Sequence, residues 1–422
     1  MMKVIIKKLI GKGFFHIFSA NVINKIFQFC NGIFLVRLLS KSEFGSYSYA
    51  QNILNLFLLF NGLGVLYALL QFGSEKIKKR NVLYKFGFKI GICFNLLITI
   101  AIILYSIYAD FPNNQSKLAL LIMAFMPFSI FGFEFIQNYL RSGLHNIEFS
   151  KLSSLNTFLI FVFSVLGAFI YGLIGVIFGQ YLAYIISILI GFRFILNNKH
   201  IEVNHNEKIN KIEKKEFMEY SIVSMLSNAV SQVVYLIDVF LIGVLISDAD
   251  LIAAYKTATL IPFALNFIPL SVMTFVYPYF AKNKDNIEWV KENFIKMQKY
   301  LFGFNLIIVI LLVTSAPLLI QILFGKNYVD SVQLFRILCI GYLIGGSFRI
   351  PAGNVLAMTR NVKFLFVANT MIGIINIGLD IVLIKTFSTT GAAISTVVII
   401  LLSSFIYNIY LYKFRLKSYI PN

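Results

Sequence analysis

The sequence predicts an all-α integral membrane protein of about twelve transmembrane helices, arranged as two six-helix lobes around a central cavity. The first observation is composition: 59% of the residues are hydrophobic and 13% are charged, whereas soluble chains carry about 25% charged residues. The second is that apolar segments near the ~20 residues needed to cross a bilayer recur along the chain. The third is that the basic residues between them fall in alternate gaps.

Each apolar segment is expected to form one membrane-spanning helix. The narrowest gap, at Tyr171-Gly172, separates the fifth segment from the sixth. The expected spans are 14–36, 46–70, 86–109, 118–140, 152–171, 173–196, 218–245, 252–280, 299–323, 331–354, 364–385 and 390–412.

The distribution of basic residues predicts the orientation. Of the 37 Lys and Arg residues, 29 lie at the termini, in alternate gaps or at the span ends beside those gaps, and five lie in or beside the opposite gaps. The remaining three, Lys25, Lys256 and Arg336, are assigned to spans. Because cationic loops remain in the cytoplasm, we expect both termini inside. The basic loops that give the chain its net charge of +19 are then expected to contact anionic lipid headgroups, and nucleic acid is not an expected partner.

The two halves of the chain resemble each other. Tyr47 and Ala50 follow the first span as Tyr255 and Ala258 follow the seventh. Because six spans return the chain to its starting side, such repeats are parallel, and transporters of this design bind substrate between their lobes. We expect an N-terminal lobe at 1–200, a cytoplasmic linker at 201–217 and a C-terminal lobe at 218–422.

Polar side chains on several spans predict a hydrated cavity. Five of them recur on the first span at spacings of three, four, seven and ten residues, which places them on one helical face. The alternative is that they hydrogen-bond between helices and hold the bundle together. The expected substrate-binding residues are Asn21, Asn24, Lys25, Gln28, Asn31, Asn52, Asn228, Gln232, Asp238 and Lys256.

Lys25 is the deepest cation in this set. It lies eleven residues after Phe14, about 16 Å along the helix at 1.5 Å per residue. A charge near the membrane centre costs about 2.5–3.5 kcal/mol or more unless it is hydrated or paired. We expect an ammonium group that binds an anion; the alternative is a structural pair with Asp238 or another carboxylate.

The remaining ionisable residues and prolines within spans are candidates for gating or coupling. Proline removes a backbone hydrogen bond and bends a helix, so the eighth span is expected to bend. Snorkelling of the long side chains and static kinks are the alternatives. These candidates are Glu134, Arg336, Asp380, Pro262 and Pro269.

Several kinds of chemistry lack their motifs. The sequence contains no GxxxxGK[ST] phosphate-binding loop, and its three cysteines lie in apolar segments without a CxxC pair. We therefore expect no catalytic residue, no metal ligand set and no cofactor.

The segment Arg37-Leu-Leu-Ser-Lys-Ser-Glu-Phe-Gly-Ser-Tyr47 resembles a signature of Wzx-type polysaccharide flippases. Asp238-Val-Phe-Leu-Ile-Gly-Val-Leu245, followed by Ala254, Tyr255 and Ala258, is similar to the same family. These flippases belong to the MOP superfamily, which also includes MATE exporters and MurJ-type lipid II flippases. The resemblance covers the whole chain.

The resemblance implies translocation of an undecaprenyl-pyrophosphate-linked oligosaccharide across the bacterial inner membrane for O-antigen or capsule synthesis. A polysaccharide polymerase and a chain-length regulator are implied partners. Lys25 and Lys256 match basic positions of lipid II flippases, whereas Asn31 stands where a second cation is found. The chain also lacks two further spans that are usual in lipid II flippases.

Two other functions remain alternatives. A MATE-like multidrug or cation antiporter is expected to carry carboxylates in its first-lobe cavity, yet the first span has Lys25 and no acidic residue. A membrane glycan polymerase or ligase is expected to expose a catalytic external loop. The expected external gaps are short, with about eight residues at 110–117, so we expect that the chain is not an enzyme.

Overall fold

The described part of the chain is helical. A computed structural model describes residues 14–76, 79–197, 209–283, 286–359 and 361–415, and within these ranges it contains helices and no strand. The chain divides into two compact units, Met1–Gln232 and Val233–Asn422.

Among its described residues, the first unit contains seven α-helices and part of an eighth. They are α1 Phe14–Leu38, α2 Lys41–Leu58, α3 Val65–Glu75, α4 Arg80–Tyr108, α5 Asn114–Ile122, α6 Met126–Ser142 and α7 Asn146–Asn197, followed by α8 Lys211–Leu245, which continues into the second unit.

In the part of the second unit that the structure describes, the end of α8 is followed by six further α-helices. They are α9 Ala249–Leu265, α10 Phe267–Lys282, α11 Ile287–Leu323, α12 Ser331–Ile344, α13 Ile350–Met358 and α14 Val362–Tyr410.

The predicted class of multi-pass membrane protein is confirmed. Eight helical stretches of the described chain are long and apolar enough to cross a membrane, judged by length and composition. Two of them, 146–196 and 363–413, have 51 residues each. A straight helix of that length measures about 76 Å, more than twice the hydrocarbon thickness of a bilayer.

The first long helix, α7, is a hairpin of two antiparallel limbs. Its backbone leaves the helical region at Tyr171 and Gly172, where Gly172 has φ 57° and ψ −139°. Gly167 and Gly175 face each other across the bend with no room for a side chain, and Gly179 meets Phe163 in the same way. The bend lies at the division that the sequence predicted.

The second long helix, α14, bends in the same manner. Ser388 has φ 56° and ψ −140°, and Gly391 packs directly against the backbone of Leu383 across the bend. Each unit therefore contains a tight helical hairpin with a positive-φ residue, Gly172 or Ser388, at its tip.

Matching contacts support the internal repeat. Ser40 caps α2 through a capping box with Glu43, and Asp248 caps α9. Tyr47 and Tyr255, the tyrosines matched in the sequence, each lie seven residues after these caps. Tyr47 accepts a hydrogen bond from Gln180 Nε2 (2.6 Å), while Tyr255 Oη lies 3.1 Å from Thr396 Oγ1. Gln180 and Thr396 each lie eight residues past the tip of their hairpin.

Some expected spans are interrupted. The second span is divided between α2 and α3 by the turn Asn61–Gly64, where Gly62, Leu63 and Gly64 have positive φ values of 58°, 56° and 71°. The eighth span breaks at Asn266, between α9 and α10. The sequence predicted the second interruption from prolines but not the first.

The expected linker is partly helical. Residues 201–208 lie outside the described ranges, but α8 begins at Lys211, so 211–217 belong to a helix. Glu213 and Asn210 cap its start reciprocally. Lys79 (2.9 Å), the backbone N–H of Asn210 and Lys76 (3.3 Å) lower the pKa of Glu213 to about 2. These contacts hold the exposed first turn of α8 beside the segment that joins α3 to α4.

Candidate functional site

The polar face of α1 lines a cavity of about 250 Å³ within the first unit. Asn24, Gln28 and Asn31 contribute to it from α1, at the predicted helical spacing. The other lining residues come from α6 and from both limbs of α7. They are Phe133, Gln137, Ser153, Asn156, Thr157, Ile160 and Tyr184, together with Phe27 from α1.

Three amide oxygens of this cavity are buried without a hydrogen-bond donor among the described residues. They are Oδ1 of Asn24, Asn31 and Asn156. Asn24 is held by its nitrogen, which donates to Ser153 Oγ (2.9 Å). A hydrogen bond donated to any of these oxygens by a ligand or water is therefore favourable.

Lys25 lies beside this cavity rather than in its lining. Its side chain is exposed, and Nζ donates to Gln28 Oε1 (3.3 Å), so one cavity residue connects it to the lining. Within the described ranges Lys25 forms no ion pair. Asn21 is also exposed and does not line the cavity.

Three other residues expected in the cavity do not line it. Asn52 is 2% exposed, and both of its amide atoms lack partners within the described part. Asn228 is half-buried and Gln232 is exposed, both on α8.

Glu134 is placed at the break between α2 and α3. Asn61 Nδ2 donates to Glu134 Oε2 (3.2 Å), and Asn95 Nδ2 donates to Asn61 Oδ1 (2.9 Å). Asn95 Oδ1 in turn accepts the backbone N–H of Gly62 (2.8 Å). The carboxylate is therefore connected by two amides to the left-handed turn.

In the second unit, Asp238 lies in a buried hydrogen-bond network. Its Oδ2 accepts from Tyr255 Oη (2.6 Å) and from Thr396 Oγ1 (2.7 Å). Asp238 is 6% exposed. The end of α8, the start of α9 and the second limb of α14 meet at this carboxylate.

The carboxyl of Asp380 lies within interaction distance of Asp238. Asn376, one turn earlier on α14, donates to Asp380 Oδ2 (2.9 Å) and lies 3.5 Å from Ser395 Oγ. The Oδ1 atoms of both aspartates are buried without a donor among the described residues. Two adjacent carboxylates with hydroxyl and amide oxygens make a donor set suited to a small cation.

The sequence assigned Asp238 to substrate binding and Asp380 to coupling, whereas the structure brings them into one cluster. Lys256, which is half-buried, lies within electrostatic range of Asp238. No group of three or more His, Cys, Asp or Glu side chains able to hold a metal occurs within the described ranges.

A second cavity, of about 260 Å³, adjoins this cluster within the second unit. Asp238, Asn376 and Thr396 line one part of it, and Pro262 and Asn266 line another. The cavity thus extends from the carboxylates to the break between α9 and α10. Pro269 lies just past that break, in the first turn of α10.

Arg336 has a local structural contact. Its Nε donates to the carbonyl of Val313 (3.2 Å). Pro317, inside α11, has no N–H to donate to that carbonyl. Arg336 therefore replaces the missing helical hydrogen bond, and its predicted role in gating stays a prediction.

Sequence reasoning missed several residues of the two sites. In the second unit these are Asn376, Ser395 and Thr396; in the first they are Asn156 and Ser153. The spacing of Asn376 and Asp380, four residues apart, was the available signal, because it places both on one helical face.

Comparisons with known proteins agree with this architecture. A family model described as "Polysaccharide biosynthesis protein" matches residues 10–284. No curated protein sequence matches the chain at a significant level.

The chain is similar to several solved structures over nearly its whole length. One is a lipid II flippase MurJ in an inward closed conformation, with TM-score 0.74 and 17% identity, covering 94% of this chain and 87% of that chain. Another is an inward-facing multidrug resistance MATE family transporter of the MOP superfamily, with TM-score 0.71, 12% identity and coverages of 92% and 93%. A third is a MOP superfamily transporter from Pyrococcus furiosus, with TM-score 0.62, 12% identity and coverages of 96% and 94%.

At these identities the likeness establishes the fold. The chain has the MurJ- and MATE-like fold, which confirms the predicted fold class. The matched proteins are described as a flippase and transporters, in agreement with the expectation that this chain is not an enzyme.

Proposed function

Because the chain belongs to the polysaccharide biosynthesis family, we propose that it flips undecaprenyl-pyrophosphate-linked oligosaccharide repeat units across the bacterial inner membrane by alternating access. The repeat units would enter surface polysaccharide, either O-antigen or capsule. In this proposal the expected twelve spans have both termini in the cytoplasm. A polymerase and a chain-length regulator act downstream, and anionic lipids contact the basic loops.

The observation that carries the proposal is the position of Lys25 beside an amide-lined cavity. Its ammonium is exposed, and its described contact is the neutral Gln28. An ammonium without a carboxylate partner attracts phosphate most strongly where water is scarce. Amide groups beside it suit the hydroxyls of a glycan.

The carboxylates of Asp238 and Asp380 support a coupled mechanism. Two acidic side chains held near each other repel unless a cation or a proton neutralises them. Binding of sodium or a proton there would favour one arrangement of α8, α9 and α14. The cavity that reaches from Asp238 to Asn266 offers a physical route from that cluster to the bend at Pro262 and Pro269.

The proposal is tested by reconstitution into liposomes with a fluorescent lipid-linked oligosaccharide and an external quencher. Lys25→Ala is expected to slow flipping about tenfold or more, because a charge-assisted hydrogen bond contributes about 1.5–3 kcal/mol. Lys25→Arg should retain more activity than Lys25→Ala. Lys299→Ala, which removes one exposed cation elsewhere, is the matched control.

If Lys25→Ala flips the substrate at the wild-type rate, Lys25 is not the anion site. Absence of flipping by the wild-type protein, with an active reference flippase in parallel liposomes, would overturn the proposed substrate. Surface glycan in cells gives a second readout of the same variants.

The second candidate function is a MATE-like multidrug or cation antiporter. The paired carboxylates of Asp238 and Asp380 favour it, because such antiporters exchange a substrate for a cation. A deletion strain that becomes sensitive to cationic drugs, with normal surface glycan, would establish this function instead.

A further inference from the structure

The cavity of the first unit combines unpaired acceptors with an uncharged lining. Oδ1 of Asn24, Asn31 and Asn156 faces no donor within the described part of the chain. Asn24 and Asn156 are 9% and 6% exposed. Buried acceptors left without partners are costly, so this arrangement indicates a ligand that donates several hydrogen bonds.

The other lining residues narrow the class of ligand. None of the lining residues is charged, and three are aromatic: Phe27, Phe133 and Tyr184. The volume of about 250 Å³ lies below the roughly 300–1,000 Å³ of drug-sized sites. A single pyranose ring fits this description, since its hydroxyls donate to amide oxygens and its C–H face packs on aromatic rings.

The cavity is also joined to a cation. Gln28 lines it and at the same time accepts a hydrogen bond from Lys25 Nζ (3.3 Å). A ligand with one ring in the cavity can therefore place an adjoining phosphate beside Lys25. A sugar bonded directly to phosphate has these two groups in the required sequence.

We propose that the cavity is a subsite for the phosphate-proximal sugar of the lipid-linked substrate, with its phosphate at Lys25. This inference rests on the proposed function and specifies which part of the substrate the first unit recognises. Sugars farther from the phosphate lie outside this subsite and contribute less to recognition.

The test uses the full-length protein in lipid nanodiscs and equilibrium binding of two probes, N-acetylglucosamine 1-phosphate and inorganic phosphate. The wild-type protein is expected to prefer the sugar phosphate. Asn156→Leu should weaken binding of the sugar phosphate about fivefold, the value of one hydrogen bond of ~1 kcal/mol. Its affinity for inorganic phosphate should be unchanged, which shows that the variant is folded.

Two further variants separate the sugar from the phosphate. Lys25→Ala should weaken binding of both probes. Asn354→Leu removes an amide that, among the described residues, donates to its own helix at the Ile350 carbonyl (2.8 Å). This variant should bind both probes as the wild type does.

Equal preference for the sugar phosphate in Asn156→Leu and the wild type would overturn the subsite. So would a thermal shift produced by sodium that Asn156→Leu abolishes, because the cavity would then be a cation site. If flipping in liposomes is normal in Asn156→Leu and no sugar preference exists, the subsite fails while the proposed function stands. If the preference exists and depends on Asn156 but the wild type flips no lipid-linked oligosaccharide, the subsite stands and the proposed function fails.

Discussion

Asp238 and Asp380 place two acidic side chains side by side in the interior of the second unit. Their Oδ2 atoms are satisfied by Tyr255, Thr396 and Asn376, and their Oδ1 atoms have no donor within the described ranges. The satisfied oxygens fix the carboxylates, and the unsatisfied ones are available to a cation or a proton.

We expect Asp238→Asn and Asp380→Asn each to remove the dependence of transport on a sodium or proton gradient. Asparagine keeps the shape of the side chain and removes the charge that a cation neutralises. The measurement is flipping in liposomes with and without an imposed gradient. Asp250→Asn, at an exposed position in the first turn of α9, should behave as the wild type. Retention of gradient dependence in both variants would exclude the cluster from coupling.

At this scale the sequence predicted charged residues better than neutral ones. Lys25, Asp238 and Asp380 stood out because a charge within a membrane span is expensive. Asn376 and Thr396 did not, because amides and hydroxyls in spans often only join helices. Only the fold, which brings α14 against α8 and α9, shows which of them belong to a site.

The hairpin tips are the elements most sensitive to one side chain. Ser388 adopts φ 56° and ψ −140°, near a region that glycine alone populates freely. Ser388→Gly should relieve that strain and stabilise the fold by about 1 kcal/mol, after the entropy cost of glycine. The midpoint of thermal unfolding in detergent gives the measurement.

Gly172→Ala should have the opposite effect. The alanine would have to keep the positive φ of Gly172, and its Cβ would lie 2.7 Å from Glu43 Oε1. We expect a cost of about 1–3 kcal/mol in the free energy of unfolding. Gly303→Ala, within α11 and with nothing within 4 Å of its Cβ position, is the matched control and should not destabilise. Equal unfolding midpoints for Gly172→Ala and Gly303→Ala would contradict the argument from strain.

The contact of Arg336 with α11 gives a prediction of coupling between two helices. Arg336→Leu should destabilise by about 1 kcal/mol, because the Val313 carbonyl loses its donor. Pro317→Ala restores the N–H that the helix lacks, so it should largely abolish the effect of Arg336→Leu. A double-mutant cycle on thermal stability measures this; additive effects of the two substitutions would show that they act independently.

The elements themselves were well predicted by hydropathy, and their interruptions were not. Each of the twelve expected spans falls largely on helical residues, and the bend at Tyr171-Gly172 lies where the sequence placed it. The turn at Asn61–Gly64 escaped prediction because only its two glycines signal a break. The third residue of this turn with a positive φ is Leu63. Asn95, from another helix, holds the turn through hydrogen bonds to Asn61 and to the backbone N–H of Gly62.

At the scale of the whole molecule, the two units repeat a framework and differ in their polar contents. Both have a capped helix, a buried tyrosine that contacts the long helical hairpin and a positive-φ residue at the tip of that hairpin. The cavity of the first unit is lined by neutral amides, and the cavity of the second reaches the carboxylate of Asp238. Under the proposals above, the same framework thus supports sugar recognition in one unit and ion coupling in the other.

The predicted orientation in the membrane is open to a direct test with an impermeant thiol reagent. After Cys30, Cys93 and Cys339 are replaced by Ser, Gln115→Cys is expected to react in intact cells and Lys211→Cys only after permeabilisation. Both positions are exposed, so accessibility depends on the side of the membrane rather than on burial. The reason is the positive-inside rule: residue 115 lies in a gap poor in cations, and residue 211 lies among lysines. The reverse labelling pattern would invert the topology, and with it the face from which Lys25 first meets its substrate.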